Sequence, residues 1–154
     1  MSIEGIILQP GMARTAGARG FHVSFLVTGE QAQGVAAFEF TAAPRFDVGA
    51  HVHGSIEEIF YVVEGELDLR VGNQVQRAGP GTFMFVPRGA PHAFSNPGTT
   101  PAKALLIVSP PGQEHYFEGL AAILSKEGPL DTAAVAQLRK QYDTEQLADL
   151  ATEP

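Results

Sequence analysis

The chain contains no cysteine. Disulfide frameworks, thiolate metal sites and cysteine nucleophiles are therefore excluded, and the absence fits a reducing compartment. Charge is also sparse: 18% of the residues are Asp, Glu, Lys or Arg, too few for a coiled coil or a solvated disordered tail. Basic residues are the scarcer sign, 10 Lys and Arg against 17 Asp and Glu, for a formal net charge of −7. Such a surface repels phosphate backbones and anionic headgroups, which argues against nucleic acid and membrane as partners. No apolar run approaches the ~20 residues that a membrane-spanning helix needs. Residues 1–12 carry Glu4 and Pro10 and no basic start, unlike a secretory leader. The expectation is a cytoplasmic protein.

What the chain does have is 44% hydrophobic residues over 154 positions, with 17 Gly and 11 Pro. That is enough for one domain with its own core and suits many short strands joined by tight turns. Segments rich in Val, Ile, Phe, Tyr and Thr read as strands at residues 23–28, 35–41, 59–63, 67–71, 82–86 and 104–109. Gly72-Asn73 reads as a hairpin turn, and Pro87-Arg88-Gly89 and Asn96-Pro97-Gly98 as further turns. With no helix between them, these strands predict a mainly β fold, an antiparallel barrel or jelly roll.

The pattern changes at Pro110-Pro111-Gly112. Beyond it Phe117, Leu120, Ala121 and Leu124 recur at helical spacing, as do Val135, Leu138 and Tyr142 after a candidate N-cap at Asp131. Residues 1–112 are thus expected to form the β domain. Residues 113–154 are expected to form a helical extension with a frayed end, packed on the barrel or on a second subunit. That extension carries eight acidic and three basic side chains, the wrong balance for a DNA-reading helix.

Chemistry concentrates in a few residues. His51 and His53 sit two apart, and on a strand such residues share a face, so both imidazoles can aim at one point. Glu57 and Glu58 head the apolar segment Ile59-Phe60-Tyr61-Val62-Val63. A carboxylate entering such a strand needs a partner, because burying an unpaired charge is costly; a metal ion would supply one. His92 follows the turn at Pro87-Arg88-Gly89. His22 and His115 stand apart and receive no ligand role.

These residues resemble the cupin family. Its first motif has His-x-His, three or four residues, Glu, six residues and Gly. The chain has His51-Val52-His53, four residues, Glu58, six residues and Gly65. The second motif is matched throughout: Gly81, five residues, Pro87-Arg88-Gly89, two residues, His92, three residues and Asn96. One Gly of the first motif is replaced by Arg45; it shapes a turn and is not a ligand. The spacing to Gly65 selects Glu58 over Glu57, which is expected at the solvated rim. The resemblance implies a double-stranded β-helix barrel with short C-terminal helices, often dimeric, holding one divalent ion through His51, His53, Glu58 and His92.

Phe38, Phe40, Phe60, Phe83, Phe85 and Phe94 read as core. Phe60 and Phe94, with Phe38 and Phe40, are the expected apolar wall of a substrate pocket. Tyr116 and Phe117 read first as packing, with a place over the barrel mouth as the alternative. A site of three imidazoles and one carboxylate leaves positions open on Fe, Mn, Co, Ni or Cu, with Zn also in range. The chain also resembles the small bacterial cupins grouped with quercetin dioxygenases, through Phe60-Tyr61-Val62-Val63-Glu64-Gly65-Glu66-Leu67 and the helical tail. That likeness implies a metal-dependent dioxygenase acting with O2 on an enolic or aromatic substrate, with Glu58 as base. Two alternatives are a non-redox isomerase, decarboxylase or cyclase, and a non-catalytic small-molecule binder.

Overall fold

The computed structural model describes residues 4–150; the first three residues of the N-terminal segment and the last four of the C-terminal tail lie outside them. In chain order the strands are β1 (Arg14–Ala18), β2 (Phe21–Val27), β3 (Ala36–Ala42), β4 (His51–His53), β5 (Glu57–Glu64) and β6 (Leu67–Val71). There follow β7 (Gln74–Ala78), β8 (Phe83–Val86), β9 (His92–Ser95) and β10 (Ala102–Ser109), then α1 (Gln113–Leu124), α2 (Thr132–Gln141) and β11 (Thr144–Gln146). All strand pairs are antiparallel, in one sheet ordered β1-β2-β3-β10-β5-β8 and another ordered β11-β4-β9-β6-β7. The mainly β expectation holds: two antiparallel sheets form a sandwich, with two short helices beyond β10.

Alternation builds the core. β3 and β10 bury every second side chain, the strand period that turns successive residues to opposite faces. The inward set is aromatic: Phe21 stacks on Phe46 at 4.9 Å and Phe40 on Phe94 at 4.5 Å between ring centres. Each ring taken from water contributes roughly 1.5–3 kcal/mol, plus up to about 1.5 for a well-set aromatic pair.

Both cupin turns are visible in the backbone. Gly65 has φ +72°, and a Cβ there would stand 2.7 Å from the Pro101 carbonyl oxygen. Arg45, where the family motif has Gly, keeps the left-handed conformation at φ +65°. Asn96 closes the same corner: its Nδ2 donates to the carbonyls of Ala42 and Thr100, and its Oδ1 accepts from Gly98 N, each at 2.9 Å.

Several expectations need correction. Phe83 and Phe85 are not core: they face outward on the edge strand β8, 60% and 46% exposed, while Met84 and Val86 point inward. The tail is not frayed at residues 144–146, which form β11 beside β4. β1 answers to none of the expected strands, while β4 and β7 stand where the His51-Val52-His53 pair and the Gly72-Asn73 hairpin imply extended chain. α1 packs on β1, and α2 starts at Asp131, whose Oδ1 accepts from Ala134 N at 2.9 Å. Among the described residues no helix is long and apolar enough to cross a membrane.

Candidate metal centre

Four side chains converge from three strands. His51 and His53 come from β4, and His92 lies directly opposite His51 on β9. Glu58 reaches them from β5, in the other sheet. One ligand atom of each lies within 4.8 Å of the others, and all four residues are buried. Glu57, one residue earlier, is only half-buried and points the other way, as the alternation requires. His22 and His115 are exposed and away from the cluster.

Each imidazole is fixed through Nδ1. His51 Nδ1 is 2.8 Å from the Gly49 carbonyl and His92 Nδ1 is 3.0 Å from the Ala90 carbonyl. His53 Nδ1 lies 3.2 Å from the Asp143 carbonyl and 3.1 Å from Thr144 Oγ1. A carbonyl only accepts, so Nδ1 of each ring carries a proton, and the neutral ring then has its lone pair on Nε2. That is how protein frameworks set a histidine for a metal.

The centre without an ion is under-satisfied. His53 Nε2, His92 Nε2 and Glu58 Oε2 are sealed from solvent with no aligned hydrogen-bond partner. His92 Nε2 and Glu58 Oε2 approach to 2.8 Å, and His53 Nε2 stands 3.6 Å from Glu58 Oε1; the first is a close ion pair, poorly aligned as a hydrogen bond. Buried polar atoms without partners cost free energy and call for an explanation. Three nitrogen donors and a carboxylate facing one point fit a divalent cation, with room for non-protein ligands.

Electrostatics agree. Burial pushes the His51 pKa down to about 3, and the neighbouring His92 adds to this. Burial also lowers His53, against the opposing pull of Glu58. Burial acts the same way on His92, but there the adjoining Glu58 carboxylate outweighs it and the pKa rises. Burial alone would raise Glu58; the imidazoles of His92, His53 and His51 overcome it and hold the carboxyl below its ordinary range.

A cavity opens from the centre. His51, His53 and Glu58 face it, with Phe40, Phe60, Phe94, Phe21 and Phe46 as walls and Gln113, Tyr116, Phe117 and Thr144 across from them. Its free room is about 30 Å³, where one water needs ~10–15 Å³. Tyr116 and Phe117 are thus cavity wall as well as packing. Phe38 is one layer back, edge-on to Phe117 at 5.0 Å and to Phe25 at 5.6 Å, and it does not line the cavity.

Sequence reasoning missed three contributors. Asp143 and Thr144 hold His53. Arg139, 1% exposed, donates from α2 to the carbonyls of Val48 and Ala148 and lies against Tyr116. Its place in the apolar stripe of α2, four residues after Val135, was the available signal.

The cupin domain profile matches residues 38–108, the stretch that carries β4 to β9, most of β3 and β10, and all four converging side chains. KdgF from a Halomonas species shares the fold at a TM-score of 0.66 and 15% identity, over 73% of this chain and 99% of that one. Residues 38–108 form a cupin domain. Among relatives by sequence, the tetracenomycin polyketide synthase protein TcmJ of Streptomyces glaucescens is 34% identical over 68 residues, 44% of this chain and 46% of that protein. The match thus spans less than half the length of that relative. The polyketide cyclase RemF of Streptomyces resistomycificus has the same fold at a TM-score of 0.61 and 24% identity, over 70% of this chain and 83% of that one.

Proposed function

We propose that this protein is a metal-dependent enzyme acting on a small enolic or aromatic molecule, and that the reaction is a dioxygenation. The observation that carries the reading is the convergence of three Nδ1-anchored imidazoles and one carboxylate at the inner end of an aromatic cavity. His51, His53, Glu58 and His92 would hold one ion of Fe, Mn, Co, Ni or Cu, or Zn. Such an ion supplies Lewis acidity and, if redox-active, a place for O2 chemistry.

The chain's own groups do the rest. The phenylalanine walls exclude water and accept a flat apolar body. Glu58 is kept ionised by its imidazole neighbours, so its carboxylate, swinging between ligand and base, is the group that takes a proton from an acidic C–H or O–H of the substrate. The free room near the centre is small. A catechol, a β-diketone or a flavonol would each enter only with a shift of α1 or of the rings.

A non-redox reading, isomerisation, decarboxylation or cyclisation, has one specific observation in its favour. The relative TcmJ is a polyketide synthase protein, and polyketides are chains of enolisable carbonyls. Glu58 would serve there as the same base. A homodimer, small-molecule partners and a cytoplasmic setting complete the proposal; light scattering reads the first directly.

The deciding experiment is elemental analysis of protein purified without chelators, followed by oxygen uptake on catechols and β-diketones. About one redox-active ion per chain with substrate-dependent uptake supports dioxygenation. Zinc with turnover under nitrogen moves the weight to the non-redox reading. His92→Ala should lose the ion, and unchanged occupancy in that variant overturns the ligand assignment.

A further inference from the structure

Two of the three imidazoles are held by the loop that leads into their own strand. His51 and His92 find their Nδ1 acceptors two residues back, at Gly49 and Ala90. His53 does not: its acceptors, the Asp143 carbonyl and Thr144 Oγ1, come from 90 and 91 residues downstream. Its orientation therefore depends on the C-terminal segment being docked.

That docking is extensive. β11 pairs with β4 in a register that sets Thr144 opposite His53 and Gln146 opposite His51. Leu147 N and Ala148 N both donate to the Ala50 carbonyl, at 2.9 and 3.0 Å. The Asp143 carboxylate accepts from Gly54 N, Ser55 N and Ser55 Oγ, just past His53. Arg139 ties Val48 to Ala148.

Thr144 is also polarised for the task. Its hydroxyl donates to the Tyr142 carbonyl at 3.1 Å, so an oxygen lone pair is what faces His53 Nδ1. The hydroxyl can then only accept from that nitrogen. This keeps the proton on Nδ1 and the Nε2 lone pair toward the centre.

We propose that Thr144 is a positioning residue of the metal centre, acting through His53, and that the C-terminal segment is a working part of that centre. The inference rests on the metal reading above. An ion bound at the centre and a docked β11 then favour each other, because each is bound better when the other is in place.

The test uses the full chain carrying Thr144→Val, which keeps the shape and removes the acceptor, with Thr144→Ser as the conservative control. Thr144→Ala removes the same hydroxyl without crowding and is the second arm if valine does not seat. Co(II) affinity is read by visible absorption against a competing chelator. His53 tautomer is read in the metal-free protein by long-range 1H–15N spectra.

Removing such an outer partner weakens metal binding about tenfold, the low end for this class because the Asp143 carbonyl stays in place. The Co(II) bands shift, and an Nε2–H population of His53 appears. Serine restores both readouts. Wild-type affinity with a pure Nδ1–H tautomer in the valine and alanine variants overturns the proposal. If the wild-type chain takes up no Co(II), the metal reading fails, while the tautomer result still decides the role of Thr144.

Discussion

Glu58 Oε2 stands 2.8 Å from His92 Nε2, with both residues buried. The two atoms face each other across the space that an ion would take. The carboxylate raises the His92 pKa above its ordinary value, whereas His51 is held near 3. His92 is thus the histidine that must lose a proton when an ion enters. Metal affinity should weaken as pH falls below the raised pKa of His92. About one proton should be released per ion bound below that point. Co(II) titrations across pH, with an indicator dye for proton release, check this. Affinity flat from pH 8 to 6 would rule it out.

The other two histidines set how the metal-free fold responds to acid. His51 and His53 have native pKa values below the ordinary 6.5. Between pH 6.5 and the native values the unfolded chain binds protons that the native chain does not, so stability rises with pH there and falls as pH drops. Glu58, also lowered, acts in the same direction below about pH 4.5. His92 is the exception. Its raised pKa adds stability below 6.5 that fades as pH climbs through the native value. Urea midpoints of metal-free protein should therefore fall steadily below pH 6.5. A midpoint constant between pH 6.5 and 4 would contradict the burial of neutral His51 and His53.

The ligand set was legible because a strand's period of two makes His-x-His a same-face pair, and because Glu58 interrupts an apolar run. Turn chemistry gave the Gly72-Asn73 hairpin, now seen joining β6 to β7 through the pair Val71 and Gln74. Other features left weaker traces. β1, Arg-Thr-Ala-Gly-Ala, has little β-branched character, and β7 is a polar edge. Phe83 and Phe85 were misplaced because alternation says which residues share a face, not which face is inward. The contact between His53 and Thr144 spans 91 residues, and no local pattern announces it.

Arg45 offers a direct test of backbone cost. It holds φ +65°, a conformation that costs a side chain with Cβ of order 1 kcal/mol and that Gly adopts freely. Its backbone N donates to the Asn96 carbonyl at 2.7 Å, which any residue except Pro keeps. Arg45→Gly should change stability by less than about 1 kcal/mol, the relief offset by the looser unfolded chain. Arg45→Val should cost more than Gly, because a β-branched residue is a poor fit to this region. The comparison is made by thermal unfolding of both variants. Valine as stable as glycine would mean that the corner has relaxed out of the left-handed region.

Arg139 tests whether the tail is clamped by charge or by shape. Its guanidinium is buried and donates to Val48 and Ala148 carbonyls. Hydrogen bonds to a charged group contribute roughly 1.5–3 kcal/mol each, while burying the cation costs part of that back. Arg139→Met keeps most of the length and removes both bonds, so a net loss of about 2–4 kcal/mol is expected. Arg139→Lys should recover little, because one ammonium cannot reproduce the planar fork that reaches both carbonyls. Urea unfolding measures both variants. If methionine matches the wild type, desolvation of the cation cancels its hydrogen bonds and the clamp is packing alone. If lysine recovers most of the loss, the charge matters and the fork does not.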